Sequence, residues 1–74
     1  MANYHISVIV EKDKDGYFAF SPDLKGCYTQ GESYEEVIEN IKDAIRLHIE
    51  DLLEDGEQVV LPETVSLTSL EVAV

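Results

Sequence analysis

The sequence predicts an α+β fold: an antiparallel sheet in strand–strand–strand–helix–strand order, with one helix on one face. Tyr4–Glu11 alternates apolar and polar residues, which is typical of a half-buried strand. Ser33–Asp55 instead repeats its apolar residues at helical spacing. A turn signal at Asp15-Gly16 precedes the aromatic run Tyr17–Phe20. We therefore expect the first two strands to form a hairpin.

The predicted strands are short. In the first, one face carries Tyr4, Ile6, Val8 and Val10. Lys12–Gly16 is the predicted hairpin loop, and Phe18 and Phe20 share a face of the second strand. Pro22 ends that strand because proline cannot donate a ladder hydrogen bond. A turn over Ser21–Gly26 and a third strand over Cys27–Gln30, closed by Gly31, complete this half of the sequence.

The helix has start and stop signals of its own. Ser33 followed by Glu36 is a capping box, in which each side chain accepts a hydrogen bond from a free backbone N–H. Gly56 is the expected C-terminal cap. One stripe of the predicted helix collects its apolar residues: Tyr34, Val37, Ile38, Ile41, Ala44, Ile45, His48, Ile49 and Leu52.

After the helix, Val59–Pro62 is predicted to be extended and Ser66–Val74 to form a last strand. A single helix covers only one face of the sheet. The other face would carry some of Ile9, Tyr17, Ala19, Tyr28 and Ala73. Leaving such a face in water is unusual for a small monomer, so we expect a homodimer or homotetramer.

Composition narrows the class of protein. The 74 residues are expected to form one domain, 1–74, with a small core and a single cysteine. The formal net charge is −11, which opposes direct binding to nucleic acid and favours a basic partner. We find no signal-peptide pattern and no apolar run long enough for a membrane span, so a cytoplasmic protein is expected.

No pattern predicts catalysis, a cofactor or a metal site. His48 lies on the apolar stripe of the helix, and Cys27 has no basic neighbour in sequence to activate it, so both are interpreted as packing residues. A nuclease using two metal ions would need clustered carboxylates. The candidates sit in or beside loops, where solvated turn residues are the simpler interpretation: Glu11, Asp13, Asp15 and Asp23.

An acidic cluster marks the end of the helix: Glu50, Asp51, Glu54, Asp55 and Glu57, with no basic residue among them. Negative charge at this end opposes the helix macrodipole. Solvation alone accounts for such a cluster, but it is also what an acidic surface for a basic partner requires. Leu47 projects from the otherwise polar side and could join that contact. We take Leu47, Glu50, Asp51, Glu54 and Asp55 as candidate partner-binding residues.

Several short stretches resemble the HicB family of antitoxins. The motifs, which cover most of Tyr4–Pro62, are Asp15-Gly16-Tyr17, Ser21-Pro22-Asp23-Leu24-Lys25-Gly26-Cys27, Thr29-Gln30-Gly31-Glu32-Ser33, Glu35-Glu36-Val37 and Leu61-Pro62. Lys25 replaces the proline often found there. The resemblance implies structural roles, in which Pro22, Gly26 and Gly31 shape turns and Ser33 caps the helix. Gly16 of the hairpin and Glu36 of the capping box join this structural set.

The resemblance also implies a fold and a function. It implies a partial ribonuclease-H-like fold and an antitoxin that neutralises HicA, a small basic toxin that cleaves mRNA. Family members commonly form dimers or tetramers. Many carry a C-terminal DNA-binding domain, for which 74 residues leave no room, so no direct contact with nucleic acid is expected.

Two other functions stay open from the sequence. One is an orphan homo-oligomeric module that binds another protein. The other is a minimal magnesium-dependent nuclease on a ribonuclease-H-like sheet, for which the sequence offers no assured cluster of acids on adjacent strands.

Overall fold

The computed structural model describes residues 3–74, so the first two residues of the predicted domain lie outside it. The element order is β1 (Ile9–Asp13), β2 (Gly16–Phe20), β3 (Tyr28–Gly31) and α1 (Tyr34–Glu54). The strands form one antiparallel sheet in the order β1-β2-β3. The predicted α+β class, with three antiparallel strands followed by one helix, is therefore confirmed.

The predicted hairpin is present. Asp13 pairs with Gly16 across a two-residue turn. The backbone N–H of Asp15 donates to the Asp13 carboxylate at 2.8 Å, and Gly16 has φ of +129°, a conformation open to glycine. The turn thus lies where the Asp15-Gly16 signal predicts it.

The first strand starts later than predicted. Ile9 is paired with Phe20, the last residue of β2, so residues 4–8 have no strand of the hairpin opposite them. The Ser7 N–H donates instead to the carboxylate of Asp23 at 2.8 Å. Ile6 and Val8 still pack against the core, as their predicted face requires. Tyr4, on the same predicted face, is 39% exposed, so the alternation predicts the burial of Ile6, Val8 and Val10 but not of Tyr4.

The connection from β2 to β3 folds back into the core. Ser21 N–H donates to the Cys27 carbonyl at 3.0 Å, and Cys27 N–H donates to the Leu24 carbonyl at 3.2 Å. Leu24 and Cys27 are both buried. Gly26 has φ of +82°, so this turn needs a residue without a Cβ. The predicted turn over Ser21–Gly26 is therefore a surface turn that buries Ser21 and Leu24 while Pro22, Lys25 and Gly26 stay exposed.

The two faces of the sheet differ from the expectation. Ala19 is fully buried in the core, and the Tyr17 ring lies edge-on against the Tyr34 ring of α1 at 6.4 Å. Both belong to the helix-covered face, so placing them on the open face was wrong. Phe18 and Phe20 lie on the opposite side, because side chains alternate along β2. The aromatic run alone could not tell which of its two faces the helix covers.

The open sheet face, carrying Ile9, Phe18, Phe20 and Tyr28, is largely aromatic. The Phe18 ring centroid is 6.0 Å from that of Phe20 and 6.0 Å from that of Tyr28. Tyr28 is 64% exposed. Phe18 and Phe20 are half-buried and α1 packs on the other face, so the expected open face exists with Ile9 and Tyr28 on it.

Both ends of α1 are capped. The Glu36 N–H donates to the Ser33 hydroxyl at 3.1 Å. The Glu36 carboxylate accepts from the Glu32 N–H at 3.3 Å, one residue earlier than a strict capping box. At the other end, Gly56 has φ of +77°, and its N–H and that of Glu57 donate to the Leu53 and Leu52 carbonyls, which is a Schellman motif.

The predicted apolar stripe packs α1 onto β2 and β3. Val37, Ile41 and Ile49 are buried, and the other members are half-buried except Tyr34. The first turn of α1 comes close to β3, because a Cβ at Gly31 would lie only 2.8 Å from the Val37 amide nitrogen. Gly31 therefore also allows the first turn of α1 to pack directly against β3.

The predicted last strand does not form. Val59 and Leu61 pack against the core, but residues 66–74 are exposed and belong to no strand. A strand needs a neighbouring ladder, and within the described chain no strand lies beside this segment. The strand expected after the helix, the fifth element of the predicted order, is therefore absent from residues 3–74.

Ile41→Ala should lower the free energy of unfolding by about 2–5 kcal/mol, because Ile41 is 2% exposed at the centre of the stripe. Leu53→Ala is the matched control, because Leu53 lies on the same helix but is 50% exposed. Urea unfolding of both variants measures the difference. Equal, small effects would contradict the packing described for α1.

Gly31→Ala should destabilise the protein by about 1–3 kcal/mol, because the added methyl group meets helix backbone that cannot rotate away. Gln30→Ala, an exposed position on the same strand, should stay within about 0.5 kcal/mol of the parent. Urea unfolding of the two variants measures the difference in their free energies of unfolding. A neutral Gly31→Ala would mean that α1 and β3 are farther apart.

Candidate protein-binding surface

A shallow groove of about 450 Å³ lies between the start of β3 and the outer side of α1. Its lining residues are Gly26, Cys27, Tyr28, Ala44, Leu47, His48 and Asp51. Leu47 is 59% exposed at its rim, across from Tyr28. We call this feature the Leu47 groove. Tyr28 borders the groove at the start of β3, but its ring packs against Phe18 on the open face, so Leu47 is the large exposed apolar side chain on the helix side of the groove.

The sequence predicted only part of this groove. Leu47 and Asp51 were singled out as partner-binding candidates, and the structure places both in its lining. Tyr28 and His48 were not, because their proximity to Leu47 depends on how α1 lies over β3. His48 is half-buried there, on the apolar stripe where the sequence analysis placed it.

The acidic helix end, defined as Glu50, Asp51, Glu54 and Asp55, adjoins the groove through Asp51. All four residues are exposed. The last turn of α1 has no basic residue, so these charges face the negative pole of the helix without a partner in that turn. Arg46 approaches Glu50 only to 4.0 Å and is bonded to Asp43 at 2.8 Å. The surface beside the groove is therefore strongly negative.

A second groove, of about 690 Å³, lies at the hairpin end of the sheet. Its carboxylates come from Glu11, Asp13, Asp15, Glu32 and Glu36, and Lys12 stands among them. In the part of the chain that the structure describes, no three or more such side chains are grouped to hold a metal ion. Asp23 lies beyond the other end of β2, bound to the Ser7 N–H. The four acids considered for a nuclease are thus not gathered at one point.

Cys27 is buried in the core among Ala19, Val37 and Ile41. Burial raises the pKa of the Cys27 thiol, because the charged thiolate loses hydration there. The thiol therefore stays protonated at neutral pH and is a poor nucleophile. Its place in the core agrees with its interpretation as a packing residue.

The residues to which the sequence analysis gave structural roles lie in the turns and at the start of the helix. Gly16 and Gly26 take positive φ in turns, Gly31 contacts the first turn of α1, and Ser33 and Glu36 cap it. Pro22 is exposed just after β2. None of these residues lines the Leu47 groove except Gly26. Within residues 3–74, no helix combines the length and apolar character that a bilayer span requires.

Several known proteins resemble this chain over most of its length. The chain is 46% identical over 68 residues to a UPF0150 protein of Helicobacter pylori, covering 92% of this chain and 94% of that protein. It is 49% identical over 57 residues to a UPF0150 protein of Synechocystis, covering 76% of this chain and 72% of the relative.

A longer relative comes from Haemophilus phage HP1, a 14.9 kDa protein encoded in the rep-hol intergenic region. The identity is 42% over 52 residues, covering 70% of this chain but 39% of the phage protein. A family model described as "HicB_like antitoxin of bacterial toxin-antitoxin system" matches residues 4–72, which include the turns, the caps and the Leu47 groove. The chain belongs to this family of HicB-like antitoxins.

Proposed function

We propose that this protein binds and neutralises a small basic toxin of the HicA type, an enzyme that cleaves mRNA. The family match over residues 4–72 carries the proposal, because the family is one of antitoxins. The protein itself is then a binding module and not an enzyme. A cytoplasmic location follows from the proposal, since the toxin's mRNA substrate is there.

The Leu47 groove and the acidic helix end supply the contact in this proposal. Leu47 offers an exposed apolar anchor, and Asp51 belongs both to the groove and to the acidic helix end. A basic partner is attracted by the net charge of −11 and oriented by the local concentration of acids. Occupying the partner's active-site face by contact would then block RNA access.

We also propose that the protein is a homodimer or homotetramer. The support is the open sheet face, where the Phe18 ring lies 6.0 Å from the rings of Phe20 and Tyr28 and the Tyr28 side chain is exposed. Apolar patches of this kind on small proteins mark interfaces. The alternative is a homo-oligomer that uses the same open sheet face for assembly but binds a protein other than a toxin.

The toxin proposal is tested by co-expressing this protein with the product of a neighbouring gene that encodes a small basic protein. The expected result is that the neighbour alone stops growth, that co-expression restores growth, and that the two proteins co-purify. Leu47→Ala should weaken binding at least tenfold, because it truncates an anchor in the groove. Binding is measured by titration calorimetry on purified proteins.

Leu53→Ala is the control for Leu47→Ala, because Leu53 is a comparably exposed leucine on α1 that does not line the groove. It should bind as the parent does. The toxin proposal fails if the neighbouring gene product is harmless. It also fails if that product is toxic but is neither bound nor neutralised by this protein. The protein would then be an oligomer that binds a different partner. If both variants bind the toxin equally well, the protein is still an antitoxin, but the Leu47 groove is not its toxin-binding surface.

Neutralising the acidic helix end with Glu50→Gln, Asp51→Asn, Glu54→Gln and Asp55→Asn should slow association with the toxin by about tenfold at low salt. The dissociation rate should change less, and the difference should shrink as salt rises. The fold should become slightly more stable, because the removed charges oppose the helix dipole. Stopped-flow association and thermal unfolding measure the two effects.

A charge-matched control distinguishes attraction by the acidic helix end from attraction by the net charge of the whole protein. Asp15→Asn, Glu32→Gln, Glu35→Gln and Glu39→Gln remove the same number of exposed acids far from the groove. This variant should slow association less. If both variants slow it equally, only net charge steers the partner and the acidic helix end is not its docking surface.

A further inference from the structure

Residues 66–74 are exposed, belong to no helix or strand, and have the sequence pattern of a strand. Leu70, Val72 and Val74 alternate with Glu71 and Ala73, and the three apolar side chains are at least 74% exposed. The radius of gyration is 14.3 Å, against about 11 Å expected for a compact chain of this length. The longest dimension is 45 Å. The segment thus lies away from the body that should bury its apolar side chains.

One sheet edge is open to such a strand, and the other is partly closed. On β3, the carbonyl of Gln30 accepts a hydrogen bond from the Asn40 side chain at 2.9 Å, and α1 packs along that strand. On β1, the side facing away from β2 has no neighbouring strand among the described residues. An unpaired strand edge is a template for another extended segment.

Charge favours this segment as the place where two copies meet. Each chain carries −11, so most surfaces of two copies repel one another. Residues 64–74 contain a single charged side chain, Glu71. Meeting through this stretch therefore places one acid, Glu71, opposite a strand whose net charge is −1 from Glu11, Lys12 and Asp13, which is far less repulsion than two whole surfaces would meet.

We propose that residues 66–74 of one copy add as a strand to the outer edge of β1 in a second copy. The exchange is reciprocal, so each copy gives one strand and receives one, which closes a two-fold dimer. This inference rests on the homo-oligomer proposed above and not on the toxin. It leaves the Leu47 groove free, because that groove lies on the β3 side of the sheet.

The test compares two double variants by light scattering at micromolar concentration. Leu70→Ser with Val72→Ser removes the apolar alternation of the segment. Leu53→Ser with Val60→Ser is the matched control, with one exposed leucine and one exposed valine changed outside it. The segment variant should lose at least half of the parent's assembled mass, whereas the control should keep it. Circular dichroism should report the same helix content for all three proteins.

Mixing isotope-labelled and unlabelled chains shows which copy supplies the strand. Filtered NMR spectra should contain contacts between residues 70–74 of one chain and residues 9–13 of another. A segment variant that keeps the parent's mass, or contacts confined to one chain, would overturn the exchange while leaving the proposed oligomer standing. A monomeric parent would remove the oligomer and the exchange together, whatever the outcome of the toxin assays.

Discussion

The close approach of α1 to β3 at Gly31 sets the rest of the structure. With no Cβ on Gly31, the Val37 backbone rests directly on the strand, and Val37 is fully buried. Ser33 caps the helix only two residues after β3 ends, so strand, turn and helix axis are fixed together. Ile41 and Ile49 then continue over the sheet. The same geometry turns Leu47 outward beside Tyr28, which is why a packing constraint also creates the candidate binding groove.

The segment between β2 and β3 explains why the family motif is structural. Leu24 and Cys27 fill the core, while the carboxylate of Asp23 holds the Ser7 N–H. Such a hydrogen bond to a charged acceptor is stronger than one between neutral groups. Residues 6–8 are thereby fixed to the core without belonging to the sheet. One turn therefore completes the core and anchors the approach to β1.

Periodicity and end signals predicted the helix almost to the residue. Ser33 and Gly56 mark its ends, and the apolar stripe is the buried one, because a helix of this length averages its pattern over many turns. The short strands were harder. The alternation in Tyr4–Glu11 predicts burial but not a ladder, and the run Tyr17–Phe20 has large side chains on both faces. The Leu47 groove depends on two distant segments, so the sequence could indicate Leu47 but not its neighbour Tyr28.

The distribution of charge is the remaining feature that stability does not explain. Acids at the end of α1 oppose its dipole, and no basic residue of the last turn offsets them. A fold with a core of only six buried apolar residues gains nothing from that arrangement. The acids adjoin the Leu47 groove on the β3 side, whereas the proposed strand exchange uses the β1 edge. The two proposed contacts therefore lie at opposite edges of one sheet, and a partner in the groove would leave the β1 edge free for the exchange.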